Sequence, residues 1–197
     1  NLEGQLEIEE MNKTGVIDTL VQRVKAAEKF KKGAEQGTYG TVKRLSDTNG
    51  DGQMDKVEVL ADHIAPVYGI CAARNGLIVA GQADIIYLLD KDNDGKAEVI
   101  DTIFTGFERG ALERGINSPQ WGPDGWIYFG AGWNGGKITG PNLPSPVNLS
   151  HSNFRIRADG TAIEPITGRT HTIGQAFTAD GDYFFTNCTI ASYSNNF

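Results

Sequence analysis

The sequence is poor in several residue types on which familiar chemistries depend. It has 2 cysteines in 197 residues, Cys71 and Cys188, and neither belongs to a CxxC or CxxCH pattern. A multi-disulfide scaffold is thereby excluded, and no haem bound by this chain is expected. It also lacks any apolar run approaching the ~18 residues that span a bilayer, so no membrane span is expected. Positive charge is scarce: 18 Lys and Arg face 25 Asp and Glu, for a net charge of −7. A surface that grips nucleic acid is basic, so no nucleic-acid partner is expected. No P-loop, GxSxG or HExxH motif occurs, which removes the usual signatures of phosphoryl, esterase and zinc-protease chemistry. The chain opens on Asn1 without the apolar core of a signal peptide, as expected of a processed chain, an expressed fragment or a cleaved piece.

What is abundant is glycine, 25 residues, and an acidity that is unevenly spread. Nine of the acidic residues fall in two short segments, 47–58 and 90–101. Two divalent cations, bringing four positive charges, would raise the net charge from −7 to −3.

Two textures divide the chain. In residues 1–37, Ile17, Leu20, Val21, Val24, Ala27 and Phe30 recur at helical spacing, with Gly33 as a stop signal. This predicts an amphipathic helix over about 14–34, an N-terminal helical arm. From residue 38 onward, short β-like runs alternate with Gly- and Asp-rich turns. They lie at 39–45, 56–64, 68–73, 77–81, 84–89, 97–107, 126–132, 154–157, 161–166 and 183–186. With no helical pattern between them, residues 38–197 read as all-β.

Two turn series interleave. Asn75-Gly76, Asp124-Gly125 and Asp180-Gly181 form one; Asp51-Gly52, Asp94-Gly95 and Asp159-Gly160 form the other. Hairpin and link then alternate at about the period of a four-stranded propeller blade. The segment 135–152, rich in Gly, Pro, Asn and Ser, reads as an irregular insert. The grouping gives half a blade (39–64), two blades (68–107 and 118–167) and half of another (174–187). This is a partial β-propeller of about three blades, and since propellers close with typically 4–8, further blades are expected to complete it.

The acidic segments carry the clearest chemistry. Asp47, Asn49, Asp51, Gly52 and Glu58 match the D-x-[DN]-x-[DN]-G-x5-E calcium loop in full; Asp90, Asp92, Asp94, Gly95 and Asp101 repeat it. Alternate carboxylates of a tight loop turn inward toward a hard cation that takes six to eight oxygens. Gln53 and Lys96, in seventh place, would offer backbone carbonyls. The flanks read as strands, so the loops are hairpin turns rather than helix–loop–helix hands. Such a loop takes its last ligand at the ninth place, Asp55 or Glu98, leaving Glu58 and Asp101 as weaker ligands. Two structural Ca2+ sites are expected.

Several segments together carry a family resemblance: 44–60 (RLSDTNGDGQMDKVEVL), 88–98 (LLDKDNDGKAE), 114–128 (RGINSPQWGPDGWIY), 135–141 (GGKITGP), 154–167 (FRIRADGTAIEPIT) and 174–185 (GQAFTADGDYFF). They resemble the propellers of membrane-bound dehydrogenases from planctomycete and verrucomicrobial bacteria, related to glucose/sorbosone dehydrogenases. The resemblance implies a periplasmic or extracellular propeller, joined in longer relatives to a helical repeat and a cytochrome c module. It implies a quinone- or cytochrome-coupled oxidation of a sugar-like alcohol, by analogy with enzymes that use pyrroloquinoline quinone, Ca2+ and a histidine base. His151 and His171 then stand as candidate bases, because imidazole titrates near working pH. His63, at a strand end, reads as a surface or packing residue. Arg109, Arg114, Asn117, Trp121, Trp133 and Asn134 are expected to cluster where they could grip a quinone or a carbohydrate. Trp126, in a strand, is expected to pack between blades. The competing reading is a non-catalytic, calcium-stiffened propeller that binds a glycan or a protein partner.

Overall fold

A computed structural model describes residues 37–109, 114–187 and, for the backbone, 190–195. The helix expected over 14–34 lies outside the described residues. Those beyond Gly37 belong to one compact unit that begins at Thr38.

The described residues form an all-β structure of four antiparallel sheets. β1 (Gly40–Ser46) and β2 (Lys56–Ile64) make a two-stranded sheet. β3 (Gly69–Ala73), β4 (Gly76–Ala80), β5 (Asp84–Leu89) and β6 (Val99–Phe107) follow in order as the second. The third has the order β12-β11-β8-β7, with β7 Asn117–Trp121, β8 Ile127–Gly130, β11 Ser152–Ile156 and β12 Ile163–Arg169. β13 (Thr172–Phe177), β14 (Tyr183–Asn187) and β15 (Ile190–Asn195) make the fourth. The four groups expected from the turn spacing correspond to these four sheets, except that strands within 136–149 of the third group join the second sheet.

Side-chain alternation along single strands explains why the sheets stack in chain order. On β5, Ile85 and Tyr87 enter the core shared with the third sheet, while Ile86 and Leu88 enter the one shared with β1–β2. On β8, Ile127 and Phe129 face the second sheet, and Trp126 and Tyr128 meet Tyr183 and Phe185 of the fourth. A strand covered on both faces is apolar at successive positions, as DIIYLL and IYFG are. Among the described residues the two end sheets carry exposed apolar side chains: Leu45, Val57 and Val59 at one end, Ile173 and Phe184 at the other.

Three features differ from the sequence reading. The segment 135–152 is no irregular insert: β9 (Gly136–Thr139) and β10 (Val147–Leu149) form a hairpin that extends the second sheet beyond β6. Each strand carries a single deep apolar anchor, Ile138 or Leu149, too little to show as a pattern. β7 was hidden by its composition, NSPQW, and is irregular between Asn117 and Gln120, where Pro119 needs no ladder partner. β15 was likewise not foreseen.

Antiparallel pairing sorts the connections to two ends of the stack. Turns β1–β2, β3–β4, β5–β6, β7–β8, β11–β12 and β13–β14 share one end. There Arg74 donates to the Ala158 carbonyl at 3.4 Å, and a Cβ on Gly181 would lie 3.4 Å from Pro123. The chain stretches around 107–109, 114–116, 131–135, 150–151 and 170–171 meet at the other end. There the Glu108 amide donates to Gly135 at 2.9 Å and the Thr170 amide to His151 at 2.9 Å.

Candidate functional site

Both acidic turns close their hairpins in the same way, from the ninth-place amide to the carbonyl preceding the loop: Asp55 to Ser46 at 3.0 Å and Glu98 to Leu89 at 3.1 Å. Their internal bonds also repeat. The first-place carboxylate accepts from the sixth-place glycine, Asp47 from Gly52 at 2.8 Å and Asp90 from Gly95 at 3.1 Å. The third-place side chain accepts from the fifth-place amide, Asn49 from Asp51 at 2.9 Å and Asp92 from Asp94 at 3.1 Å. The fifth accepts from the seventh, Asp51 from Gln53 at 2.7 Å and Asp94 from Lys96 at 2.8 Å. The ninth accepts from the second, Asp55 from Thr48 at 2.9 Å and Glu98 from Lys91 at 2.7 Å. Gly52 and Gly95 hold φ of 87° and 93°, the conformation that favours glycine.

The turns differ in what the carboxylates do next. Asp90, Asp92, Asp94 and Glu98 converge, each offering an oxygen within 4.8 Å of the others; among the described residues this is the one acidic group so gathered. In the first turn Asp47 is half-buried, Asp51 and Asp55 are exposed, and all three accept local bonds. The Gly52 amide holds Asp47 below the usual carboxylate range, and the Thr48 hydroxyl does so for Asp55.

Asp90 is the buried member, its side chain 8% exposed. Its Oδ2 accepts from Gly95 and lies 3.2 Å from Arg44 Nη1, while its Oδ1 is buried without a hydrogen-bond partner. An unpartnered buried carboxylate oxygen is costly unless something satisfies it. Beside it lies a cavity of about 330 Å³ between β1–β2 and the second sheet, lined in part by Arg44, Leu60, Ile70, Leu77 and Ala97.

The twelfth-place residues stand apart from both clusters. Glu58 accepts from Arg44 Nε at 2.7 Å and pairs with Lys56 at 2.7 Å; the Arg44 guanidinium first, then the Lys56 ammonium, hold its carboxyl down to about 2. Its Oε1 would be 2.7 Å from a Cβ on Gly95, so it leans on the other turn and not its own. Asp101 lies on β6 opposite Tyr87, exposed. Arg44 was not singled out from the sequence: its partners lie 14 and 46 positions away, and only the stacking of sheets unites them.

At the opposite end the two histidines come together. The Trp133 ring is 5.6 Å from that of His151 and 6.1 Å from that of His171, with the Arg169 guanidinium 4.3 Å over it. His151 Nδ1 is 2.6 Å from the Trp133 carbonyl. Trp133 and His151 both hold positive φ, 77° and 57°, a strained conformation for such side chains. His171 Nε2 and the Nδ2 of Asn134, which is 4% exposed, are buried without hydrogen-bond partners. His63 is instead on the surface, 3.3 Å from Asp62.

The expected grip of Arg and Trp residues is divided. Trp121 lies at the acidic-turn end and donates to the Ala72 carbonyl at 2.8 Å, whereas Trp133 and Asn134 lie at the histidine end. Asn117 is structural, donating to Gly115 at 3.0 Å and Thr172 at 2.9 Å. Trp126 is buried against Tyr183, with Arg155 and Arg157 at 4.6 and 4.0 Å over its ring.

These features define an all-β protein of serially stacked antiparallel sheets, with acidic hairpin turns at one end and a histidine–tryptophan cluster at the other. The chain belongs to the family described as Domain of unknown function (DUF7133), whose model matches residues 22–195. No curated protein matches it in sequence. Among solved structures it is similar to a luciferin-regenerating enzyme, at 15% identity and a TM-score of 0.40. That match covers 82% of this chain and 62% of the other.

Proposed function

We propose that the chain is a calcium-binding segment of a larger β-propeller. The observation that carries the cation is the convergence of Asp90, Asp92, Asp94 and Glu98, together with an Asp90 Oδ1 that is buried and unpartnered. Four oxygens at this spacing suit a hard cation such as Ca2+, with the Lys96 carbonyl and water completing the set. The first turn repeats the hydrogen-bond scheme, and Asp47, Asn49, Asp51, Asp55 and the Gln53 carbonyl would gather around a second Ca2+. Both ions are structural, tying a turn rather than taking part in a reaction. The propeller reading is supported by four sheets stacked in chain order and by apolar faces left exposed at both ends of the stack, as missing blades would require.

The test is thermal. Removing Ca2+ with EDTA lowers the melting temperature and restoring it reverses the loss, because binding to the native state alone stabilises by about 2.7 kcal/mol at a hundred times Kd. A melting temperature indifferent to both sinks the cation assignment.

A second reading, a quinone- or cytochrome-coupled dehydrogenase for a sugar-like alcohol, is favoured by the pairing of His151 and His171 around Trp133. One imidazole would accept the alcohol proton, and Asn134 and Arg169 would orient the substrate. Pyrroloquinoline quinone would supply the two-electron acceptor. In this reading the protein is periplasmic or extracellular, with a cytochrome c module as its redox partner. If the longer protein, loaded with Ca2+ and pyrroloquinoline quinone, reduces no artificial acceptor with a panel of sugars, the alternative stands: a propeller that binds a glycan or protein without catalysis.

A further inference from the structure

We infer that Arg44 is a positioning residue for the cation turn 90–98 and that it links cation binding there to docking of the β1–β2 hairpin. The inference rests on the cation reading above and concerns a residue outside the ligand set.

Asp90 divides its two oxygens. Oδ2 is taken by the Gly95 amide at 3.1 Å and by Arg44 Nη1 at 3.2 Å, leaving Oδ1 buried, unpartnered and free to take a cation. Arg44 thus fixes the carboxylate in the orientation that presents one oxygen. Arg44 is itself held across the sheet by Glu58, its register partner, through Nε at 2.7 Å. The planar fork of a guanidinium satisfies two carboxylates in a fixed geometry, which an ammonium cannot do.

The hairpin touches the turn twice more. The Ala97 amide donates to the Leu60 carbonyl at 2.8 Å, and Glu58 packs against Gly95 so closely that a Cβ there would be 2.7 Å from Oε1. Under them, Val42 and Ala61 of the hairpin share a core with Val79 and Leu88. The turn of one sheet is therefore braced by the next sheet. Linkage makes this reciprocal: if the docked hairpin raises cation affinity, the bound cation strengthens docking by the same factor.

Two effects of Arg44 oppose each other, since its charge repels a cation while its geometry orders the ligand. Arg44→Lys separates them by keeping the charge and losing the fork. The experiment titrates Ca2+ calorimetrically into the whole chain carrying Asp47→Ala, which removes the first-place ligand of the first turn, with and without Arg44→Lys or Glu58→Gln. Loss of a residue that orients a metal ligand typically weakens metal affinity 10- to 100-fold, and we expect about 10-fold for each variant. Trypsin cleavage after Lys43 and Lys56 is the second readout: Ca2+ slows it in the Asp47→Ala parent and slows it less in Arg44→Lys. Unchanged affinity and unchanged protection in both variants, with the parent binding Ca2+ normally, overturns the inference and leaves the cation reading intact. A parent that binds no Ca2+ overturns both.

Discussion

Tyr183→Phe tests how the third and fourth sheets are held together. Tyr183 is fully buried on β14 and its hydroxyl joins a chain of polar groups that crosses between the sheets. It accepts from Asn153 Nδ2 at 3.0 Å and donates to Gln175 Oε1 at 2.6 Å. The Gln175 amide continues to the Ser118 carbonyl at 2.7 Å, and Asn153 Oδ1 takes the Ala131 amide at 3.0 Å. Every link is made, and burial raises the phenol pKa, consistent with a hydroxyl that stays protonated and donates. The substitution removes one oxygen, changes the packing volume little and strands one donor and one acceptor. A stranded buried group costs about 1–3 kcal/mol. Asn153 is 0% exposed and carries the upper part of that range, while half-buried Gln175 can recover some of its loss from water. The expected destabilisation is about 2–4 kcal/mol, or roughly 5–15 °C in melting temperature for a domain of this size. Urea unfolding should show a lower midpoint with an unchanged slope. A loss below about 0.5 kcal/mol would mean that the relay contributes nothing and that other contacts join the sheets.

Three further outcomes follow from named contacts. Gly95→Ala and Gly52→Ala impose similar backbone strain at φ of 93° and 87°, about 1–2 kcal/mol. Only the former meets Glu58, so it should cost about 1–3 kcal/mol more in chemical denaturation; equal losses would show that the hairpin does not press on the second turn. Glu58 has a depressed pKa, so its share of stability is present above the ordinary carboxylate value, about 4.5, and is lost as pH falls toward about 2. Urea midpoints measured in chelator over that window should fall, and Glu58→Gln should flatten the slope. Phe154→Ala removes a fully buried ring stacked on Phe129 at 5.1 Å and should cost about 3–5 kcal/mol, well above any surface substitution.

The apolar strands were legible because burial on two faces writes a continuous apolar run, as in 84–89 and 126–130. The acidic turns were legible because their ligands and glycine are local in sequence. What escaped is non-local or compositionally mute. β9 and β10 have one deep anchor apiece, and β7 is built from polar residues around Pro119. The spacing that made Glu58 a twelfth-place ligand also put it across from Arg44, and cross-strand pairing decided which partner it kept. Trp121 and Trp133 are close in sequence, but β8 and its flanking turns carry them to opposite ends.

Among the described residues, the apolar faces of the two end sheets are unlike one another. One is a two-stranded face bearing Leu45, Val57 and Val59; the other, on three strands, bears Ile173 and Phe184. Surfaces that differ cannot mate about a two-fold axis, so the molecule has a polarity, a leading face and a trailing one. Any neighbour that satisfies one face and resembles this chain presents a fresh copy of that same face. Growth by such additions has two outcomes: the series turns back on its starting point, or it runs on as a filament.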